Sequence, residues 1–520
     1  MFTTLVTLAI ASEGDIVMPN LLYIHTDQHN PYVTGCYGDP LVETPNLDRL
    51  AAGGVRFENV YCPSPICVPS RMASLSGRHP YQNQVWTNNH ILDSAIPTLA
   101  HAMGAAGYRP ILVGRMHSVG PDQLHGYAER RVGDHGPNHI GGRGADRGAL
   151  DGTAGPDCIS LLKSGAGQSA YQVHDEAVAA ETVALLNQLG QQKQATGQIE
   201  PFSISVGMML PHAPFVARPQ DFERYRNRIS LPSKRTPFAQ VDHAFLRAWR
   251  THTGIVEVSD AEILRARAAY WGLVHRVDCL VGEILDALHA NGLAENTLIV
   301  YTSDHGDMVG EHDLWWKHVF YEESVKVPLI MQWPGVIEAG QVCQRVVSSL
   351  DLTATLLDAL GAPALPNSPG RSLLGLVASA ETTDPSRNSG RQGGDQWEDV
   401  AFSEYCADEY VPSEIDGGKT YQRMIRQGEW KLIYYHGLPT QLFNLAEDPG
   451  ERVDRTNDPA CQTIHQALIA RLLDGWPPEQ IASKMATQRA ENAILRSWAQ
   501  QTQPTDQYRW PLKAEMNYLL

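Results

Sequence analysis

The sequence predicts an α/β fold in which a central, mostly parallel sheet is flanked by helices, followed by a smaller C-terminal α+β subdomain with an antiparallel sheet. Short apolar runs that alternate with helical patterns predict the first part, because this alternation is typical of a parallel sheet covered on both faces. Three stretches beyond residue 400 alternate polar and apolar residues, as antiparallel strands do. We therefore expect an α/β domain at 18–375, a linker at 376–399 and a C-terminal subdomain with a tail at 400–520.

The elements of the larger domain are predicted from their apolar periodicity and from the residues that start and stop them. Continuous apolar runs predict buried strands at 20–26, 109–113, 202–206, 297–301 and 327–331. Patterns with one apolar face predict helices at 45–53, 97–107, 176–189 and 259–289. Ser259 and Glu262 form a capping box that starts the last of these helices.

The remaining stretches lack such long periods. Residues 133–167 are glycine-rich and polar, which indicates a long surface excursion that covers a pocket. The stretch 361–398 is rich in Pro, Ser, Gly and Asp and predicts a linker or a large loop. Beyond it, strands are expected at 400–405, 421–426 and 430–435, then a helix at 459–473 and a polar tail that contains tryptophan.

Composition and charge argue against several partners. The chain has 520 residues, 43% of them hydrophobic, and its net charge of −17 argues against nucleic acid or an anionic membrane surface as a partner. Its 8 cysteines lack paired spacing, so we expect no disulfide scaffold. The apolar run at 5–11 follows no basic residue and is too short to span a membrane, which favours a cytoplasmic protein. Met18 is an alternative start to Met1.

The stretch 61–80 contains the residues with the most distinctive spacing. Three prolines exclude a helix before Pro69, where a helix is expected to begin and from which it runs to Gly77. Cys67 then lies just ahead of a helix N-terminus, where free N–H groups and the nearby Arg71 favour an anion or a reactive sulfur.

Three other interpretations of this cysteine are possible, and the spacing argues against two of them. A thiol phosphatase loop requires an arginine six residues after its cysteine, but Val68 and Ala73 occupy those positions for Cys62 and Cys67. A zinc site has weak support, because no second Cys or His pair follows at ligand spacing. A buried structural cysteine stays as the alternative.

Polar side chains end two of the predicted strands. Asp27 and Gln28 follow the first strand, and Asp304 and His305 follow the strand at 297–301. Because the carboxyl ends of parallel strands face a common crevice, these side chains are expected to form one metal site, suited to Ca²⁺, Mn²⁺ or Mg²⁺. Taken separately, each pair is also typical of loop capping or of a turn.

The run Cys67-Val-Pro-Ser-Arg71, followed by Leu75 and by Gly77-Arg78, resembles the sulfatase signature, in which the cysteine is oxidised after translation to formylglycine. The resemblance covers most of the chain, with similar segments at 19–27, 44–61, 114–126, 211–215, 297–317 and 421–451. It implies the alkaline-phosphatase-like α/β sandwich fold. It also implies a maturation enzyme that generates the formylglycine.

The resemblance implies one divalent metal ion, with Ca²⁺ the expected ion, bound by Asp27, Gln28, Cys67, Asp304 and His305. Cys67, as hydrated formylglycine, would bind the metal and attack the sulfur of a sulfate ester. Asp304 would help to ionise the attacking hydroxyl.

Five further residues match positions that carry catalytic roles in the family. Arg71 would hold the nucleophile, with Arg115 beside it where most members have lysine. His117 would take the proton from the second hydroxyl, which expels sulfate and restores the aldehyde. His212 and Lys317 would bind the sulfonate oxygens and protonate the departing alcohol.

The substrate is predicted less sharply. Gln28 and His305 look like their counterparts in choline sulfatases and phosphonate monoester hydrolases, and Glu404 resembles the acidic residue that holds choline. Asn88 is a candidate for a sulfonate contact. Because 133–167 contains no tryptophan or phenylalanine, we predict a sulfate ester of a small organic molecule and keep choline as one possibility.

Two alternatives to a sulfatase activity stay open. The same site would suit a phosphonate monoester or phosphodiester hydrolase, and a catalytically silent sulfate- or metal-binding member would share the same residues. The tail, with Trp476, Arg489 and Trp510, is similar to the C-terminal segment through which choline sulfatases oligomerise, so a homo-oligomer is expected.

Overall fold

The structure, a computed structural model, describes residues 18–377, 396–408 and 411–520. The apolar run at 5–11 and most of the predicted linker lie outside these residues. The strands are β1 (Asn20–Asp27), β2 (Val55–Tyr61), β3 (Arg109–Gly114), β4 (Glu129–Arg131), β5 (Gly165–Gln168), β6 (Phe202–Pro211), β7 (Val216–Ala217), β8 (Thr297–Ser303), β9 (Leu329–Gln332), β10 (Gln341–Ser348), β11 (Val400–Ala407), β12 (Thr420–Gln427), β13 (Trp430–Tyr435), β14 (Gln441–Asn444) and β15 (Tyr518–Leu519).

The helices are α1 (Pro45–Ala52), α2 (Cys67–Ser76), α3 (Pro80–Asn83), α4 (Leu99–Ala105), α5 (Ile159–Leu162), α6 (Ala170–Thr196), α7 (Pro219–Tyr225), α8 (Ala244–His252), α9 (Asp260–Ala290), α10 (Glu322–Val325), α11 (Ser349–Ala359), α12 (Leu374–Val377), α13 (Gln462–Leu473) and α14 (Pro478–Thr502). The two longest helices, α6 and α9, correspond to the helices predicted at 176–189 and 259–289, whereas the 25-residue α14 was not predicted. Ser259 caps α9 together with Glu262, as the capping box predicts.

An eight-stranded sheet forms the centre of the molecule, in the order β10-β2-β9-β8-β1-β6-β3-β4. Its central strands β1, β6 and β8 are parallel to one another and buried along their whole length, which explains their continuous apolar runs. β9 is antiparallel to both of its neighbours, β2 and β8, a direction that its short apolar run does not reveal. The predicted mostly parallel sheet is confirmed, with β9 as its antiparallel member among the described strands.

Helices flank this sheet in two packed groups. One group contains α6, α7 and α9, and α6 and α9 both contact β6. The other contains α2, α4 and α11, of which α4 contacts β3 and α11 contacts β10. Because the helices pack on the faces of the sheet, the polar residues at the carboxyl ends of β1, β6 and β8 lie at its edge.

The smaller C-terminal sheet is confirmed as antiparallel, with four strands in the order β11-β12-β13-β14. β11 packs beside β10 and β2 of the central sheet, and α13 covers β12 and β13. The division of the chain at 375 and 400 stays a prediction.

A buried lysine connects the C-terminal sheet to the segment between β8 and β9 of the central sheet. Lys431 on β13 is fully buried, and its Nζ lies 2.9 Å from Glu322 Oε1 and 2.7 Å from Glu451 Oε1. Burial opposes the ionisation of both carboxyl groups, but Lys431 holds the pKa of Glu322 below its usual value. Burial and the neighbouring Glu322 raise the pKa of Glu451. The ammonium group of Lys431 therefore bridges the two carboxyl groups, and Lys326 Nζ lies 3.8 Å from Glu322 Oε2.

Replacing Lys431 with methionine is expected to destabilise the protein by about 3–5 kcal/mol, because a buried carboxylate loses its partner. The loss in free energy of unfolding, measured with urea, should grow from pH 5 to pH 8. Without Lys431, the folded variant favours the protonated form of the two buried carboxyl groups, and this form becomes more costly to keep as the pH rises. The exposed Lys484 on α14 provides the control, and Lys484→Met should change stability by less than about 0.5 kcal/mol. Equal effects of the two changes would contradict the prediction.

The C-terminal tail is more ordered than its composition suggests. It contains the 25-residue helix α14, which buries Ile481 and Met485 against Trp476. Beyond α14, the chain returns to the central part of the molecule, where β15 pairs with β5. Among the described helices, none combines the length and the apolar character that are needed to cross a membrane.

Candidate active site

The helix α2 places Cys67 at its first turn. Cys67 is the first residue of α2 and only 1% exposed, with the extended Ile66 as its N-cap, so the predicted start at Pro69 is two residues too late. Pro69 is the third residue of α2, and its lack of an N–H group removes no hydrogen bond there, because the first N–H groups of a helix have no partner within it. Gly77 ends the helix in the left-handed conformation, with a φ of 65°. Asn88 Oδ1 accepts a hydrogen bond from Val68 N at 3.0 Å, which satisfies one of those free N–H groups.

The parallel register brings the two predicted strand ends together. Thr26 of β1 lies opposite Ser303 of β8, so Asp27 and Asp304 leave the sheet side by side. Gln28 has a φ of 68°, a conformation that turns the chain sharply at this edge. Gln28 N donates to Asp304 Oδ1 at 3.0 Å, which ties the end of the first strand to the end of the second.

Four buried side chains converge on one point. Single ligand atoms of Asp27, Cys67, Asp304 and His305 all lie within 4.8 Å of one another. The Cys67 Sγ is 3.3 Å from His305 Nε2 and 3.7 Å from Asp27 Oδ1. His305 Nδ1 donates to Gly306 O at 2.9 Å, and burial lowers the pKa of His305 to about 4, so its Nε2 lone pair faces the cluster.

This donor set fits a divalent ion. Oxygen and nitrogen ligands at about 2.0–2.6 Å from one ion lie within roughly 5 Å of each other, and the cluster meets that limit. The hydrogen bond from His305 to a backbone carbonyl is typical of a metal-binding histidine. Gln28 lies at the edge of this cluster, where its Oε1 accepts from Lys317 Nζ at 2.7 Å and its Nε2 donates to Asp307 Oδ2 at 2.5 Å.

Two buried arginines share one carboxylate of the cluster. Arg71 Nη2 and Arg115 Nε lie 3.1 and 2.7 Å from Asp27 Oδ2, and Arg71 Nε lies 2.8 Å from Asp304 Oδ2. Burial opposes ionisation of Asp27, but Arg115, His212 and Arg71 hold its pKa well below the usual value. Burial likewise opposes ionisation of Asp304, and Arg71 holds its pKa below the usual value. Both carboxyl groups are therefore charged at neutral pH.

The remaining predicted residues lie around the sulfur. Lys317 Nζ is 3.0 Å from Cys67 Sγ, and His212 is within hydrogen-bonding reach of the same atom. His117 is half-buried and accepts a hydrogen bond at Nδ1 from Arg115 Nη2 at 2.7 Å. Burial and the charge of Arg115 hold the pKa of His117 well below its usual value, so the imidazole is neutral. Apart from Glu404, every residue predicted for the site contacts this cluster directly or through one neighbour.

Glu404 lies in a different environment. Its carboxylate accepts hydrogen bonds from Tyr81 N and Trp476 Nε1, and the guanidinium of Arg423 lies over the rings of both of those residues. Burial raises the pKa of Glu404 to about 7. Among the described residues, no hydrogen bond or ion pair joins its side chain to Cys67 or to the metal-binding cluster. Its predicted contact with substrate stays a prediction.

Several residues at the site were not assigned a role from the sequence. Asp307 fixes the Gln28 amide, and burial raises its pKa to about 6 despite hydrogen bonds from Val309 N and Gln28 Nε2. Its position three residues after Asp304 was the available signal. Asp134 forms an ion pair with Arg115. The ring of Tyr171 packs edge-on against the ring of His212. No local pattern distinguishes Asp134 within its glycine-rich stretch.

Comparisons with known proteins agree with this geometry. The family model described as Sulfatase matches residues 19–362, and a model described as N-sulphoglucosamine sulphohydrolase, C-terminal, matches residues 310–475. A choline-sulfatase of Rhizobium meliloti (strain 1021) is 32% identical over 466 residues, which cover 88% of this chain and 86% of that protein. Human arylsulfatase K is 29% identical over 461 residues, covering 83% of this chain and 78% of that protein.

The fold is also similar to that of a solved enzyme. The phosphonate monoester hydrolase of Agrobacterium radiobacter superposes with a TM-score of 0.69 at 24% sequence identity, covering 91% of this chain and 96% of that one. This likeness shows the alkaline-phosphatase-like architecture, and the family match extends over about two thirds of the sequence. The chain therefore belongs to the sulfatase family of sulfuric ester hydrolases.

Proposed function

We propose that this sulfatase hydrolyses the sulfate ester of a small organic alcohol, using a formylglycine made from Cys67 and one divalent cation, and releases inorganic sulfate and the alcohol. The observation that carries the proposal is the convergence of groups on one buried sulfur. Lys317 Nζ, His305 Nε2 and Asp27 Oδ1 lie 3.0, 3.3 and 3.7 Å from Cys67 Sγ. The proposed nucleophile, a hydrogen-bond donor and the proposed metal ligands therefore lie together at one buried point.

The metal would be held by Asp27, Asp304, His305 and residue 67, with Gln28 as a fifth ligand through its amide oxygen. Three oxygen donors and one imidazole favour Ca²⁺, with Mn²⁺ or Mg²⁺ as alternatives. The bound ion would stabilise negative charge on the oxygens of the sulfate ester and favour ionisation of the nucleophile.

Formylglycine at position 67 would supply, in its hydrated form, one hydroxyl that attacks sulfur and a second that allows sulfate to leave. We propose that a separate maturation enzyme generates this aldehyde. Arg71, fixed by Asp27 and Asp304, holds positive charge beside residue 67. Lys317 binds a sulfonate oxygen and, with His212, supplies a proton to the departing alcohol.

His117 is proposed to act on the oxygens at residue 67 through a hydrogen bond. Its Nδ1 accepts from Arg115, so the neutral imidazole carries its proton on Nε2 in this arrangement. With Arg115 Nη2 on Nδ1, Nε2 is the nitrogen from which His117 is proposed to donate a hydrogen bond to an oxygen of residue 67 or of the departing sulfate. The arginine and the histidine act as a coupled pair.

The alcohol part of the substrate is proposed to be small, with choline as one candidate. The buried cluster around Glu404 supplies aromatic rings and a carboxyl group, but its polar atoms already bind Tyr81 and Trp476. We also propose a homo-oligomer that uses the C-terminal tail. α14 exposes 71% of Ile494 and 44% of Trp498, an apolar surface that supports such a contact.

Mass and turnover measurements test the activity together. In protein from its natural host, the peptide that carries residue 67 is expected at the mass of formylglycine, and a residue at the mass of cysteine would contradict the mechanism. The kcat/KM for 4-nitrophenyl sulfate should exceed that for 4-nitrophenyl phenylphosphonate at least about 10-fold. The reverse preference would favour the phosphonate monoester hydrolase, and an unmodified Cys67 combined with turnover of neither compound would favour a silent homologue.

A further inference from the structure

Arg115 uses all three guanidinium nitrogens, each on a different partner. Its Nε lies 2.7 Å from Asp27 Oδ2, and its Nη2 donates to His117 Nδ1 at 2.7 Å. Its Nη1 lies 3.0 and 3.1 Å from the two carboxylate oxygens of Asp134. Arg115 and Asp134 are only 4% and 6% exposed, so this contact is made away from water.

Near the sulfur, the carboxylates of Asp27 and Asp304 are already bound by Arg71, so Asp134 is the carboxylate that Arg115 does not share with Arg71. Asp27 accepts from both Arg71 and Arg115, and Asp304 accepts from Arg71. Without Asp134, Arg115 would therefore share its single carboxylate with another guanidinium group. Burial opposes the ionisation of Asp134, but Arg115 holds its pKa well below the usual value, which indicates a permanent ion pair.

Asp134 is itself fixed from the other end of the chain. Trp510 N donates to Asp134 O at 2.8 Å, and Arg509 Nε donates to His135 O at 3.1 Å. The two segments approach so closely that a Cβ added at Gly133 would lie 1.3 Å from Tyr508 O. Residues 508–510 therefore restrict the backbone on both sides of Asp134.

We infer that Asp134 is a positioning residue of the sulfatase site: it orients the guanidinium plane of Arg115 so that Nη2 stays on Nδ1 of His117. This inference rests on the proposed roles of Arg115 and His117. A planar guanidinium held at Nε and Nη1 cannot rotate, so the third nitrogen points in one direction. Asp134 thereby determines which nitrogen of His117 carries the proton.

A double-mutant cycle tests the inference, with 4-nitrophenyl sulfate as substrate. Asp134→Asn keeps the size of the side chain and should lower kcat by about 30- to 100-fold, with KM changed by less than about 3-fold. In an Arg115→Lys background, the amine has no planar fork to orient, so the same change should lower kcat by less than about 3-fold. Equal losses in the two backgrounds would show that Asp134 acts independently of Arg115 and would overturn the inference.

The control is the half-buried Asp122, whose carboxylate caps the backbone N–H groups of Leu124 and His125. Asp122→Asn should leave kcat within about 2-fold of the wild-type value, because surface-loop changes rarely act at a distance. A 30-fold loss in this control as well would identify a general effect of removing loop carboxylates and would also overturn the inference.

A spectroscopic measurement separates this inference from the proposed activity. In ¹⁵N-histidine-labelled protein, the His117 signals, identified by their absence in His117→Gln, should report a proton on Nε2 and an unprotonated Nδ1. In Asp134→Asn, a mixture of the two tautomers is expected. Unchanged tautomers would overturn the inference even if the enzyme hydrolyses sulfate esters. A change of tautomer in a protein without sulfatase turnover would support it while the proposed function fails.

Discussion

Replacing Cys67 with alanine is expected to lower kcat/KM for sulfate esters by at least ~10⁴-fold, because a covalent mechanism cannot start without its nucleophile. Alanine also removes the atom on which Lys317 and His305 converge. The helix itself should tolerate the change, since alanine has the highest helix propensity. The measurement is steady-state kinetics on 4-nitrophenyl sulfate, supported by circular dichroism of the variant.

The neighbouring Cys62 is a suitable control for this change. It is also buried, and its backbone N donates to Val325 O away from the cluster. Cys62→Ala should keep kcat within about 3-fold while lowering stability by about 1–2 kcal/mol, the usual cost of a small cavity. Activity retained in Cys67→Ala would contradict the proposed nucleophile, whatever the result for Cys62.

Loss of Asp304 is expected to abolish both metal binding and most of the activity. In the wild-type protein, Ca²⁺ at 100 times its dissociation constant should stabilise the folded state by about 2.7 kcal/mol and raise the melting temperature by about 2–3 °C. Asp304→Asn keeps the shape of the side chain but removes a charged ligand. The variant should show no Ca²⁺-dependent shift, and its kcat should fall by roughly 10³-fold.

Asp278 supplies a buried carboxylate without a role in the cluster. It accepts hydrogen bonds from Asn46 N and Leu47 N at the start of α1. Asp278→Asn should lower the melting temperature but keep the full Ca²⁺-dependent shift. A shift that persists in Asp304→Asn at the same Ca²⁺ concentration would place the metal elsewhere.

The grouping of the proposed metal ligands was predictable because it depends on a general property of parallel sheets. Asp27 and Asp304 each follow an apolar run, and neighbouring parallel strands deliver their carboxyl ends to one edge. The position of Cys67 beside a helix start was predictable from the prolines around it, although the helix begins two residues earlier than Pro69 suggests. Each of these predictions depends on a short stretch of sequence: an apolar run followed by a polar residue, or the prolines around Cys67.

The features that were missed depend on distant contacts. The ion pair of Asp134 with Arg115 requires the chain near Trp510, and no period in residues 133–167 indicates that partner. The direction of β9 is set by its place between β2 and β8, which its four residues cannot encode alone. α14 was missed because few of its 25 residues are buried, so the helix lacks a strong apolar stripe.

The contact between residues 508–510 and residues 133–135 has a consequence for biosynthesis. The ribosome makes the nucleophile helix and both strand ends long before it reaches Trp510, and chains fold progressively as they emerge. Until residues 508–510 have been made, the backbone of Asp134 and His135 lacks the hydrogen bonds that Trp510 and Arg509 donate to it. A message truncated before codon 506 would thus encode every proposed metal ligand but would lack the segment that fixes Asp134 and, through Asp134, the side chain of Arg115.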